Sequence, residues 1–264
     1  SGIMIPAMIA YTYEANIDKK RAATVISFHA LGWLAGIAAA GITNDLKLIF
    51  LISAAAFIIG LLFTIKLPNP VQEKELKPGT TRNVIAKNKF LFLSLLLRHI
   101  GAAAVWVILP IMIMEKWGGD LYHISVVYVA NTLTAFILMN VMASKIHLSN
   151  ITKFKIGIGA TTFVFVGLAF VTDWWMAMPF MSLVGATWAF LFIGGNFHLM
   201  ENNPRSTSTG IFSSTLSIAT VIGPIVGGTI AFLFDYVAVL YFAVAIIVCA
   251  FVVSLKIENK KILS

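Results

Sequence analysis

The sequence predicts an all-α, polytopic membrane protein, and three observations carry that reading. The chain of 264 residues is 59% apolar and only 11% charged, where soluble domains are about a quarter charged. Its charges are gathered between long uncharged runs, several of which exceed the roughly 18 residues that a helix needs to cross a hydrocarbon core. The apolarity of these runs is continuous rather than alternating, which excludes a β-barrel. A net charge of +8 would suggest nucleic acid in a soluble protein, but here the loops account for it, and no nucleic-acid partner is expected.

The elements follow in order. Residues 2–13 are apolar but too short to cross at 1.5 Å per residue, and no Met stands at position 1, so the sequence is expected to begin partway through a helix. Glu14 to Arg21 is a charged loop. Residues 22–42, with Gly32, Gly36 and Gly41, form the second segment, and 46–65 the third. Residues 67–89 hold three of the eight prolines among mixed charges, the composition of a solvated linker. Six segments come after it: 90–114, 122–144, 156–171, 174–198, 209–234 and 236–255. The lone cysteine, Cys249, lies in the last of these and is expected to be a small packing residue.

Alternate loops differ in charge. One set carries sixteen Lys and Arg residues, from Lys19 to Lys261, and the other only Lys47 and Lys116. The positive-inside rule then places the linker and the C-terminus in the cytoplasm, and the lipid bilayer of the plasma membrane is the expected surrounding.

The beginning of the chain repeats near its end. With a shift of 187 residues, Glu14 falls on Glu201, Asn16 on Asn203, Gly36 on Gly223 and Gly41 on Gly228, an ordered pattern of loop, glycine-bearing helix, turn and last helix. Gly223-Pro224-Ile-Val-Gly227-Gly228, its degenerate copy from Gly32 to Gly41, the loop residues Arg21 and Arg205, and the run Arg98-His99-Ile-Gly101 with Trp106 and Pro110 together resemble the major facilitator superfamily. The resemblance covers the whole chain as helices four to twelve of the family's twelve. It implies a helical bundle of two pseudo-repeated halves: 1–66 as the last three helices of a truncated first half, 67–89 as the linker, and 90–264 as a six-helix second half with a tail. It also implies a secondary active transporter that moves a small solute by alternating access, with efflux among the allowed directions and a coupling proton as partner. The family's loop signature is reduced here to 143–150 without an acid, and Ile37 stands where an antiporter-type motif has proline. A chain without the first three helices is not expected to transport alone.

Charge inside a bilayer is costly and marks function by default. Arg98, about eight residues into its segment, is the one clear instance; it would hold an anionic group, or snorkel to the interface. His99 beside it is a proton-carrier candidate, although neighbours about 100° apart do not face one cavity squarely; His29 is a similar candidate. Asn131 and Asn140, nine residues apart, fall on different helix faces, so one would line the pathway while the other bonds a neighbour. Asn196 has the same two readings. Trp33, Trp106 and Trp188 lie within segments as candidate pathway walls, whereas Trp117, Trp174 and Trp175 lie at ends, as interfacial anchors. Gly32/Gly36 and Gly223/Gly227 have the spacing that lets helix backbones approach closely. Glu14, Arg21, Glu201 and Arg205 would latch a cytoplasmic gate, as individually weak surface pairs.

No catalytic signature is present, and no cofactor or metal is expected. An enzyme such as a lipid-modifying transferase is the competing class, but it would need histidines or acids clustered at one interface, and the five histidines are scattered. A non-transporting truncated protein is the third reading.

Overall fold

The computed structural model describes residues 19–43, 45–65 and 80–257. The first apolar segment, Glu14, most of the linker and the C-terminal tail lie outside the described residues, as does the side chain of Arg21. The described residues form α1 (Lys19–Thr43), α2 (Leu46–Thr64), α3 (Thr80–Lys87), α4 (Lys89–Glu115), α5 (Leu121–Ser144), α6 (Asn150–Leu168), α7 (Trp174–Asn202), α8 (Arg205–Leu233) and α9 (Tyr236–Leu255). Seven of them, all but α2 and α3, are at least 18 residues long and apolar enough to span a membrane, and α2 is a shorter apolar helix. The protein is an integral, multi-pass membrane protein. In hydrocarbon a helix is the one open-chain form that satisfies every backbone group within its own segment.

Helix α3 lies inside the stretch expected to be linker. Its short TTRNVIAK run has a single buried residue, Val84, so a scan for long apolar segments passes over it. Asn88 closes it by donating to the Val84 carbonyl (2.9 Å), and also donates to Asn203 Oδ1 (3.4 Å) at the end of α7.

The bundle is built around α4, which packs along α8 on one side and α9 on the other; α9 also meets α6, α6 meets α7, and α7 meets α5. Glycines set the closest approaches. A Cβ on Gly157 of α6 would lie 2.5 Å from the Leu191 amide nitrogen of α7, and one on Gly194 of α7 would lie 2.6 Å from the Asn150 carbonyl oxygen of α6. Gly185 of α7 abuts the Asn131 carbonyl of α5. Such contacts substitute for the hydrophobic effect, which gives no net drive between helices already surrounded by lipid.

Helix α1 joins the bundle through α5, and α2 touches little besides α1. Ala23, Ile26, Ser27 and Ala30 form the buried face of α1. Phe50, Phe57 and Phe63 on α2 are each more than 70% exposed, as suits a helix facing lipid.

The helix ends fall into two rims of opposite charge. Asp45, Asp120, Asp173 and Asp235 occupy the N-cap positions of α2, α5, α7 and α9 on one rim. The carboxylates of Asp45, Asp120 and Asp235 accept from free amides there, Asp173 makes no such cap bond, and all four complement the helix dipole. Asp120 and His123 form a reciprocal capping box, and the His123 N–H holds the Asp120 carboxyl below the usual carboxylate range. Glu115 is also on this rim and accepts from the Tyr236 hydroxyl (2.9 Å). The opposite rim carries Arg82, Lys87, Lys89, Lys145, Lys155, Arg205 and Lys256. Its N-caps at α4, α6 and α8 are the uncharged Asn88, Ser149 and Pro204.

Two expectations for single residues differ from the structure. Trp117 is 4% exposed, not an interfacial anchor, because the chain folds back over it and its carbonyl accepts from the Trp174 amide (3.1 Å). Cys249 is exposed on the outer face of α9 rather than packed.

Candidate functional site

Arg98 lies in the middle of the bundle. The face of α4 from Leu91 to Ala104 is almost wholly buried, and Arg98 is buried within it at 1% exposure. Its Nη2 donates to Thr161 Oγ1 on α6 (3.2 Å), and Thr161 in turn donates to the Gly157 carbonyl (2.6 Å). The guanidinium carbon lies 5.7 Å from the centre of the Trp188 ring on α7, within cation–π range. The Arg98 Nε has no hydrogen-bond partner. All six described carboxylates, Asp45, Glu115, Asp120, Asp173, Glu201 and Asp235, lie at helix ends. This guanidinium is therefore balanced by one neutral hydroxyl and one ring.

His99 is 9% exposed, and its Nδ1 also lacks a partner. Its ring lies 5.6 Å from that of Trp188. Adjacent positions on α4 point in different directions, but the indole of Trp188 is wide enough to meet both. Trp188 then continues into Phe192 (5.1 Å) and Phe212 of α8 (5.7 Å from Phe192). The structure thus brings Arg98, His99 and Trp188 together, and adds Thr161, Phe192 and Phe212, which the sequence reading did not single out. Thr161 stands in the middle of an apolar run, beside Thr162, and that was the available signal.

The other candidates lie apart. His29 and Trp33 pair with each other on α1 (5.6 Å), and Trp33 is 62% exposed. Trp106 packs on Tyr128 of α5 (5.9 Å), whose hydroxyl donates to the Trp106 carbonyl (3.3 Å). Asn196 is buried and donates to Phe192 of its own helix (3.0 Å). Asn131 is partly buried on α5. Glu201 accepts from Asn150 Nδ2 (3.0 Å), and Arg205 begins α8.

Asn140 bonds a neighbouring helix, one of the two roles weighed for it. Its Nδ2 donates to Ser27 Oγ of α1 (2.8 Å), next to the edge-to-face pair Phe28–Phe136 (6.3 Å). At the other end of this contact Gly41 abuts Ser125. Bonds between membrane helices are worth about 0.6 kcal/mol on average and up to about 1.7 kcal/mol. Asn140→Leu is therefore expected to lower the stability of the α1–α5 contact by about 1 kcal/mol while leaving α4–α9 assembled. Crosslinking between α1 and α5 in the variant, followed over temperature, measures this.

The glycine pairs diverge. A Cβ on Gly223 would lie 2.5 Å from the Ala103 Cβ and 2.7 Å from the Ile100 carbonyl oxygen, and one on Gly227 would lie 2.7 Å from the Ala104 carbonyl oxygen. For Gly32, Gly36 and Gly228 nothing described lies within 4 Å. The close approach expected at Gly32 and Gly36 is thus not made among the described residues, because α1 meets α5 through its Ala23–Ala30 face. Pro224 follows Gly223 in the same tight turn of α8.

Toward the cationic rim α3 packs against both α8 and α4. The result is a groove of about 660 Å³ lined by Thr81 and Ile85 of α3, Phe92 of α4, and Ser206, Thr207, Gly210, Ile211, Ser214, Thr215 and Ile218 of α8. Phe92 and His99 are seven residues, or two turns, apart and share one face of α4, though His99 itself is not among the groove's lining residues.

The geometry is that of a helical membrane bundle with a buried cationic centre, and solved structures place its architecture. The chain matches a major facilitator superfamily transporter, FucP, in the outward conformation, with a TM-score of 0.54 and 12% identity over 80% of this chain and 54% of that one. It matches a substituted form of the E. coli fucose:proton symporter FucP with a TM-score of 0.54 and 14% identity, over 80% of this chain and 55% of that one. The chain therefore has the fold of major facilitator superfamily transporters and spans about half the length of these two. No family sequence model matches it, and no curated protein matches it.

Proposed function

We propose that the chain is part of a secondary active transporter that moves a small solute across the plasma membrane by alternating access. The observation that carries this reading is the major facilitator fold over 80% of the chain, one relative being described as a fucose:proton symporter. In this reading 1–66, with α1 and α2, belong to one half, 67–89, with α3, to the linker, and 90–264, with α4–α9, to the other half. The α1–α5 contact is then a seam about which the halves rock, and the cationic rim is cytoplasmic.

Arg98, His99 and Trp188 form the solute-sensing centre, reached along the groove. Arg98 favours an anionic or amphipathic solute, and His99 is the candidate carrier of a coupling proton, with His29 a second one. Trp33, Trp106, Asn131 and Asn196 line the pathway, while Glu14, Arg21, Glu201 and Arg205 form the gate at the cationic rim.

The test is counterflow in vesicles bearing the protein that contains this chain, with fucose, neutral hexoses and monocarboxylates as the solute panel, with and without a pH gradient. We expect exchange of at least one solute class, lost in Trp188→Ala. No exchange of any solute above empty vesicles would overturn the reading.

A further inference from the structure

We propose that the junction of α4 and α9 at the cationic rim is a binding site for an anionic phospholipid, whose phosphate is held by Lys89 and Lys256. The site is independent of the transport reading. Lys89 Nζ lies 5.1 Å and Lys256 Nζ 5.8 Å from the centre of one ring, that of Phe90. Both lysines are exposed. A third ammonium, Lys155 Nζ, donates to the carbonyl of Ile257 just past the end of α9 (2.9 Å).

Positive charges gathered on one phenyl ring repel each other. The ring's attraction for each is modest at an exposed site, and the Ile257 carbonyl engages Lys155. The nearby described carboxylate, Glu201, is bonded to Asn150, and the other five lie on the opposite rim. An anion between Lys89 and Lys256 would relieve the repulsion.

The surface beside these lysines selects what carries that anion. Helices α4 and α9 pack tightly where Gly101 meets Ala243 and Ile247, and from there they run to Phe90 and Lys256. Val248, Val252 and Leu255 follow one another on one exposed face of α9 that leads to Lys256. A ligand with an anionic head and apolar tails would match both parts: phosphate at the lysines, acyl chains along Val248, Val252 and Leu255. A free phosphate would use the head site alone. Basic sites at the ends of membrane helices take anionic headgroups in this way.

The experiment is native mass spectrometry of the full chain in detergent, comparing phosphatidylglycerol with phosphatidylcholine of the same acyl chains, and with glycerol phosphate as a soluble competitor. Wild type is expected to retain phosphatidylglycerol preferentially, Lys89→Gln and Lys256→Gln each to weaken it about fivefold, and the double variant to lose the preference. Lys145→Gln, elsewhere on the same rim, and the pair Lys89→Arg/Lys256→Arg are expected to keep it. Four results would overturn the proposal: an unchanged double variant, an equal loss in Lys145→Gln, a loss in the arginine pair, or displacement of the lipid by glycerol phosphate at matched concentration.

Discussion

Arg98→Met is expected to make the protein more stable and less active at once. The guanidinium is 1% exposed, keeps an unbonded Nε, and has Thr161 as its one hydrogen-bond partner among the described residues. Replacing buried charge by apolar groups of similar volume is often neutral or stabilising by about 1–4 kcal/mol, and Thr161 keeps its bond to the Gly157 carbonyl when the guanidinium is removed. Methionine fills much of the same volume and packs well on Trp188. A thermal melt of the purified variant, run beside solute exchange in vesicles, reads both effects. A fall in melting temperature would show that Arg98 is a structural keystone. A variant that exchanges solute at the wild-type rate would remove Arg98 from the proposed centre.

The second large effect is expected at Gly223. Valine there would drive its side chain into the Ile100 carbonyl and the Ala103 Cβ, against backbone that cannot move aside without separating α4 from α8. Overpacking costs about 1–3 kcal/mol, and the upper end is expected here. Gly36→Val is the matched control. A shift of 187 residues places Gly36 on Gly223, yet Gly36 has open space, so its valine should change stability by no more than about 0.5 kcal/mol. Equal losses at the two positions would mean that the repeat, not the local contact, governs them.

That pair also shows how far the sequence could be read. Membrane class, helix count after the linker and family fold were legible because each rests on a sum over 20 or so residues, and a run such as 236–255 has no soluble alternative. The short helix α3 was not, since one buried residue, Val84, gives no periodic signal. The GxxxG spacing marks helices able to approach closely but not the face that a partner will take, so Gly32/Gly36 and Gly223/Gly227 looked alike. The tightest approaches to a neighbouring helix's backbone, at Gly157, Gly185 and Gly194, stand alone without that spacing. In the candidate centre Arg98 was visible as a charge in an apolar run. Its surroundings were not, because Thr161 and Trp188 reach it from α6 and α7, more than 60 residues along the chain. Trp117, at a helix end, matched the pattern of an anchor, and only the fold-back of 174 over it decided otherwise.

The two charged rims have a consequence for how this chain comes to lie in a membrane. The aspartates that cap α2, α5, α7 and α9 sit on one face with Lys47 and Lys116, and the remaining described loop lysines and arginines sit on the other with Glu201. To lie with the cationic rim on the side that repels cations, the molecule would carry most of its loop lysines and arginines through the bilayer against a field worth about 2.3 kcal/mol per charge per 100 mV. Each hairpin bears the same polarity as the last, so the chain votes for its orientation many times over as it is threaded in. Losing a single lysine would leave that majority standing.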